Sequence, residues 1–207
     1  MKNMHLGIKN NIKYILILLL IFILIAVFVM FIPNSRTYDY TLLHYIQGLL
    51  TQYPVFFAQQ VSDFGKWGYL FWPQLTAVSV LFSHKKYAEG VLLVIFTQIA
   101  WHGLDFIKEI VKRIRPCENC IAGYSFPSGH ATTTGCFYGI LLYLTLTYVH
   151  NKFWRYFLIS FLCLFMFLVA ISRWKLNVHF PTDVIAGFIL GYILVNLYII
   201  LLKLIKK

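Results

Sequence analysis

Tyr14 to Ile32 reads YILILLLIFILIAVFVMFI, 19 residues with neither a charge nor a proline. A helix crossing the hydrocarbon core of a bilayer needs about 20 mostly apolar residues, so this run predicts a transmembrane helix. Lys2, Lys9 and Lys13 precede it, and Pro33-Asn34-Ser35-Arg36 follow. A secretory signal would carry a shorter apolar core ending at a small-residue cleavage site. The run is therefore read as a retained first helix.

The rest of the chain repeats the theme. Hydrophobic residues make up 60% of the sequence and charged residues only 12%, against about 25% charged in soluble domains. Further apolar runs fall at about 67–83, 87–107, 130–149, 154–172 and 181–202. The first of these is interrupted by Pro73, Gln74 and Thr76, which packed membrane helices tolerate. Residues 34–66 are mixed and predict an interfacial helix or loop. The expected fold is all-α: one membrane-embedded domain over 1–207, a six-transmembrane helical bundle.

A net charge of +11 does not point to nucleic acid here. The cations sit in short segments between apolar runs, as the positive-inside rule describes. With the N-terminus in the cytoplasm, Lys2, Lys9, Lys13, Lys85, Lys86, Lys152, Arg155, Lys203, Lys206 and Lys207 are cytoplasmic. The opposite side receives Arg36, Lys66, Lys108, Lys112, Arg113, Arg115, Arg173 and Lys175. Six of these eight fall in two segments that carry other signals, so both termini are expected in the cytoplasm.

That arrangement sends three polar segments to the outer face: KEIVKRIRP (Lys108–Pro116), PSGH (Pro127–His130) and SRWKLNVHFPTD (Ser172–Asp183). In the first, Lys108, Lys112 and Arg115 share a face if the third span continues as a helix to Pro116. Alone, they also fit a snorkelling cationic fringe. In the second, Ser128 can cap the following helix and Gly129 lets a ligand approach the backbone, at a helix N-terminus suited to an anion. In the third, Asp183 lies one helical turn from His179, where a carboxylate fixes the tautomer and leaves the other nitrogen free as nucleophile or base. Pro181 and Asp183 equally suit an ordinary first turn. Arg173 can fork onto an anionic oxygen pair.

Taken together, the segments fit phosphoryl transfer without a metal. His179 attacks phosphorus, Asp183 steadies it and His130 protonates the leaving oxygen. Lys108, Arg115, Arg173, Ser128 and the Gly129 N–H hold the remaining oxygens.

The same residues carry a resemblance. Lys108-x6-Arg115-Pro116, Pro127-Ser128-Gly129-His130 and Ser172-Arg173-x5-His179-x3-Asp183 are similar to the three-part signature of the type 2 phosphatidic acid phosphatase family. The resemblance implies a metal-independent lipid phosphatase without a cofactor, in which His179 forms a phosphohistidine and His130 is the acid. Lys108, Arg115, Ser128, Gly129 and Arg173 would bind phosphate. The short chain with small loops looks bacterial, which would make this an inner-membrane enzyme with its site on the periplasmic or outer face. Family substrates include undecaprenyl pyrophosphate, phosphatidylglycerophosphate and lipid A. The partners implied are a membrane lipid phosphate and the bilayer, with no obligatory protein partner.

A phosphotransferase would use the same residues. An anion or lipid transporter fits less well, because the polar groups gather at one face rather than at the midplane. Cys117 and Cys120 could form a disulfide or remain thiols, and they lack the further ligands of a zinc site. His102 and Asp105 could line the site but are expected as a helix-packing pair. Neither the lipid nor the oligomeric state is encoded in any of these patterns.

Overall fold

A computed structural model describes residues 2–117 and 122–206. Its elements, among the described residues, are nine helices: α1 (Lys2–Phe31), α2 (Ser35–Leu49), α3 (Val55–Asp63), α4 (Trp67–Ser83), α5 (Tyr87–His102), α6 (Asp105–Val111), α7 (Gly129–Tyr148), α8 (Lys152–Lys175) and α9 (Pro181–Ile205). Cys120 lies outside the described residues, while Cys117 is disulfide-bonded.

Four stretches are long and apolar enough to cross a membrane: Gly7–Phe31, Tyr87–Val111, Lys152–Lys175 and Pro181–Ile205. The other two expected spans form helices α4 and α7. At 17 residues, α4 is about 25 Å long at 1.5 Å per residue, shorter than the ~30 Å apolar core. α7 is largely enclosed by its neighbours. By length and composition, four spans stand out among the described residues, and α4 and α7 are not counted with them. Side chains such as Leu16, Leu20, Leu24, Phe157, Phe161 and Phe167 face outward, which only a lipid environment accommodates on this scale. The protein is an integral membrane protein.

α7 is the centre of the bundle, packed mainly on α9 and also on α8 and α5. Leu93 and Phe96 of α5, Phe137 and Ile140 of α7, Leu162 of α8 and Tyr198 of α9 form the main core. A smaller cluster of Phe22, Phe126 and Ala186 seats α1 against α9. Asn11 donates to Asn196 at 3.0 Å, and Lys203 donates to Asn11. The early part of α1 and the late part of α9 therefore share one end of the bundle. The three polar segments occupy the other.

One expectation is filled in here and another is corrected. The mixed region 34–66 holds two helices, α2 and α3, with a turn at 50–54. The third span does not run to Pro116. It breaks after His102, resumes as α6 and ends at Val111, with Lys112 left-handed at φ 48°. From there burial alternates: Lys112 and Ile114 face out, whereas Arg113 and Arg115 are buried. That is the period of extended backbone. Lys108, Lys112 and Arg115 consequently do not share a helical face. Two inward arginines two residues apart need this extended path.

Candidate active site

Helix contact assembles the site. A Cβ on Gly187 would meet the Ser128 carbonyl at 2.6 Å, and one on Gly191 would meet the Thr132 carbonyl at 2.7 Å. Both glycines of α9 thus press directly on the backbone of α7, the small-xxx-small packing by which membrane helices approach closely. The contact places the start of α7 beside the start of α9, where Ser128 N–H donates to the Asp183 carbonyl at 3.0 Å. Ser128 caps α7 through its Oγ, which accepts from Ala131 N–H at 3.4 Å. The glycine contact therefore joins PSGH to the His179–Asp183 segment.

His179 itself lies before α9, and Asp183 is in that helix's first turn. Pro181 supplies the preset φ of a first helical residue. Asp183 Oδ2 accepts the Phe180 N–H at 2.8 Å and faces His179 Nδ1 at 3.6 Å, longer than a hydrogen bond. The capping role and the histidine-facing role coexist in one carboxylate. Its other oxygen, Oδ1, accepts from Arg113 at 2.6 Å.

Arg115 fixes the ring's tautomer. Its Nη1 lies 3.1 Å from His179 Nε2 and donates to the Val178 carbonyl at 3.0 Å. A guanidinium can only donate, so Nε2 must hold a lone pair and the proton belongs on Nδ1, toward Asp183. Burial pushes the His179 pKa down to about 4; the Asp183 carboxylate opposes this, while Arg173 and Arg115 add to the depression. The ring is thus neutral at pH 7, with Nε2 unprotonated.

Around this nitrogen lies a cavity of 240 Å³ lined by Trp101, His102, Asp105, Lys108, Arg115, Gly129, His130, Arg173 and His179. Arg173 is held at Nη1 by the hydroxyl of Ser62 from α3, and its Nε has no partner. His130 Nε2 is likewise buried without a partner, its ring edge against Trp101. Lys108 sits 3.9 Å from Asp105. Three cations and three imidazoles line a space large enough for a phosphate. Among the described residues, no three His, Cys, Asp or Glu side chains gather in an arrangement that could hold a metal ion.

Of the residues singled out from sequence, Lys108, Arg115, Gly129, His130, Arg173 and His179 line the cavity. Ser128 and Asp183 lie directly behind it, fully buried. His102 and Asp105, expected to pack between helices, line the cavity as well, because α5 breaks just after His102. Ser62, Trp101, Arg113 and Asp39 were not expected in the neighbourhood. The one signal available was Arg113, a further cation in the Lys108–Pro116 segment, two residues from Arg115.

Comparison with known proteins gives a consistent picture. Residues 83–206 match the profile of the PAP2 superfamily. Phosphatidylglycerophosphatase B of Bacillus subtilis strain 168 is 31% identical over 122 residues, 55% of this chain and 58% of that protein. The matched part is thus little more than half of that relative. An undecaprenyl-diphosphatase of Sulfolobus acidocaldarius is 28% identical over 195 residues, covering 86% of each chain. The crystal structure of a transmembrane PAP2-type phosphatidylglycerolphosphate phosphatase from Bacillus subtilis superposes with a TM-score of 0.73. That likeness covers 89% of this chain and 93% of the other at 24% identity, and it is one of fold.

Proposed function

Because this chain belongs to the PAP2 superfamily, we propose that it is a metal-independent lipid phosphate or pyrophosphate phosphatase, and that its reaction runs through a phosphohistidine on His179. The observation that carries the mechanism is the orientation of His179: a neutral ring with its Nε2 lone pair at the cationic cavity. A phosphoryl group drawn in by Lys108, Arg115 and Arg173 meets that lone pair. Arg115 then exchanges its contact with Nε2 for a phosphoryl oxygen.

In the first step Nε2 forms a bond to phosphorus while the bond to the leaving oxygen breaks, and His130 gives that oxygen a proton. In the second, His130 takes a proton from water, the water oxygen attacks phosphorus and the N–P bond breaks. Inorganic phosphate leaves and His179 is neutral again. The three cations and the Gly129 N–H stabilise charge on the non-bridging oxygens throughout. This is the charge a metal would otherwise neutralise, which supports activity without one.

The proposal extends to topology: one domain over 1–207, six spans with α4 and α7 among them, both termini cytoplasmic and the site on the extracytoplasmic side. The site's position, opposite the end where Asn11 meets Asn196 and Lys203, supports it. Fusions after residues 85 and 153 should report cytoplasmic, and one near 120 external; a cytoplasmic signal near 120 would overturn the orientation.

The substrate test is phosphate release from purified protein in detergent. Phosphatidylglycerophosphate and undecaprenyl pyrophosphate come first, because the relatives are named for them, followed by phosphatidic acid and lipid A. Release should persist in excess EDTA. Loss in EDTA with rescue by a divalent ion would sink metal independence, and label passing to a lipid acceptor instead of water would identify a phosphotransferase.

A further inference from the structure

We propose that Arg113 and Asp39 are a positioning pair that holds Asp183 toward His179 and sets the field the ring experiences; this rests on the reading of His179 as nucleophile. Arg113 Nη1 donates to Asp183 Oδ1 at 2.6 Å and to Thr182 Oγ1 at 2.8 Å. Its Nη2 donates to Asp39 Oδ2, which also accepts from Thr182. The guanidinium lies 4.0 Å over the Phe180 ring. Among the described residues, every side-chain hydrogen bond of Arg113 is thus with Asp39 or with the Phe180–Asp183 turn that carries the carboxylate.

Neither residue touches the cavity, and both are almost fully buried, so they cannot serve as a surface ion pair or a phosphate ligand. With Oδ1 engaged by Arg113 and Oδ2 by the Phe180 N–H, Asp183 cannot rotate away from His179. Asp39 in turn holds Arg113 from α2, outside both the signature and the residues matched by the family profile.

The charges make the proposal quantitative. Two carboxylates and one guanidinium leave one net negative charge behind a neutral ring, and phosphoryl transfer to Nε2 adds the compensating positive charge. Arg113 weakens the Asp183 field at His179, and Asp39 restores it. The other charged or titratable groups around the ring are Arg115, Arg173 on α8, His102 on α5, Asp105 and Lys108 on α6, His130 on α7 and Lys66 before α4. All of these stay constant when Arg113 or Asp39 is changed. Losing Arg113 should therefore make His179 easier to protonate, and losing the charge of Asp39 should make it harder.

The test compares full-length Arg113→Lys, Arg113→Gln and Asp39→Asn with the parent protein. Phosphate release from short-chain phosphatidic acid below its micellar concentration is followed from pH 3 to 8. The kcat should fall about 10- to 100-fold, as it does when groups that orient a ligand side chain are removed, with KM nearly unchanged. The acid limb of kcat/KM should move up in Arg113→Gln and down in Asp39→Asn, by about half a pH unit or more. If Arg113→Gln does not accumulate, Arg113→Lys and Asp39→Asn decide: a kcat loss in both, with a lower acid limb in the latter, supports the pair. Parental kcat and limbs in variants that merely melt earlier would overturn it, as would a rise in KM alone. His179→Ala is run alongside: if it turns over normally, the nucleophile reading itself is wrong, a failure separate from that of the pair.

Discussion

The molecule buries carboxylates at both ends of the bundle, and Glu89 at one is used differently from Asp183 at the other. At one end Glu89 of α5 accepts from Tyr148 of α7 and from Lys206 beyond α9. Tyr148 in turn lies beneath both Lys86 and Lys206. At the other end Asp183 is held by Arg113 and the Phe180 N–H, and it faces a histidine whose Nδ1 has no hydrogen bond. The Glu89 cluster is a latch with its donors spent. The Asp183 cluster borders partnerless nitrogens on His130 and Arg173, which line a small cavity, and the partnerless His179 Nδ1 that faces the carboxylate itself. Cavity size is a poor guide to chemistry here: the space beside the latch is 530 Å³ and lined mainly by Ala77, Val80, Leu81, Leu141 and Leu144, against 240 Å³ at the polar site. Burial of charge marks stability at one end. Unspent hydrogen-bonding capacity marks chemistry at the other.

The comparison breaks most easily at its strongest point. His179→Ala should lower turnover by about 10⁴-fold or more, as removal of a nucleophile does elsewhere, with little change in thermal midpoint. Near-parental turnover would remove the distinction between the two ends. Next comes His130→Ala, expected to cost about 10²- to 10⁴-fold on an alkyl phosphate. An aryl phosphate, whose leaving oxygen needs little protonation, should recover part of that loss; equal losses on both substrates would deny His130 the acid's role.

A smaller effect sharpens the electrostatics. Because the His179 pKa lies near 4, the ring stays neutral as pH falls from 7 to 5, and it loses its lone pair only near pH 4. An imidazole at its ordinary pKa of about 6.5 would lose about 25-fold between pH 7 and 5. On a substrate whose own ionisation is constant over that range, kcat/KM should change less than about twofold. A limb near 6.5 would show that the site is wetter than its geometry indicates.

The smallest effect on activity belongs to the latch. Lys206→Met leaves Glu89 buried with Tyr148 as its side-chain donor, a loss of about 1–3 kcal/mol, or a midpoint lower by about 5 °C for a chain this size. Turnover should stay within about twofold, since the latch and the cavity share no residue. If Lys206→Met and Asp183→Asn lost activity alike, the two carboxylates would not be functionally distinct.

The sequence made the site legible wherever the chemistry is carried by residue type at fixed spacing. Lys108, Arg115, His130, Arg173 and His179 could be named from their segments because each segment is short and locally ordered. Their convergence depends on Gly187 and Gly191, whose lack of side chains is visible in the sequence but whose facing surface is not. Arg113 and Asp39 stand 74 positions apart, and no local pattern encodes that pairing. The break in the third apolar run was hidden for a different reason. Hydropathy continues across Gly103 and Leu104, and only the need to turn two arginines inward selects an extended path after Val111. The number of membrane crossings is obscured by α4, whose residues are apolar enough but too few to decide the matter alone.

The close seat of α9 on α7 has a consequence for how the protein comes into being. Membrane helices insert individually and associate afterwards, so His179 and the Ser128–His130 turn can each reach their proper depth while still far apart in the plane of the bilayer. Until the two glycines find the α7 backbone, no phosphate pocket exists. The onset of phosphate release during synthesis into vesicles would thus serve as a clock for lateral assembly. Gly187→Ala would delay that clock, or stop it, without altering any group that touches phosphate.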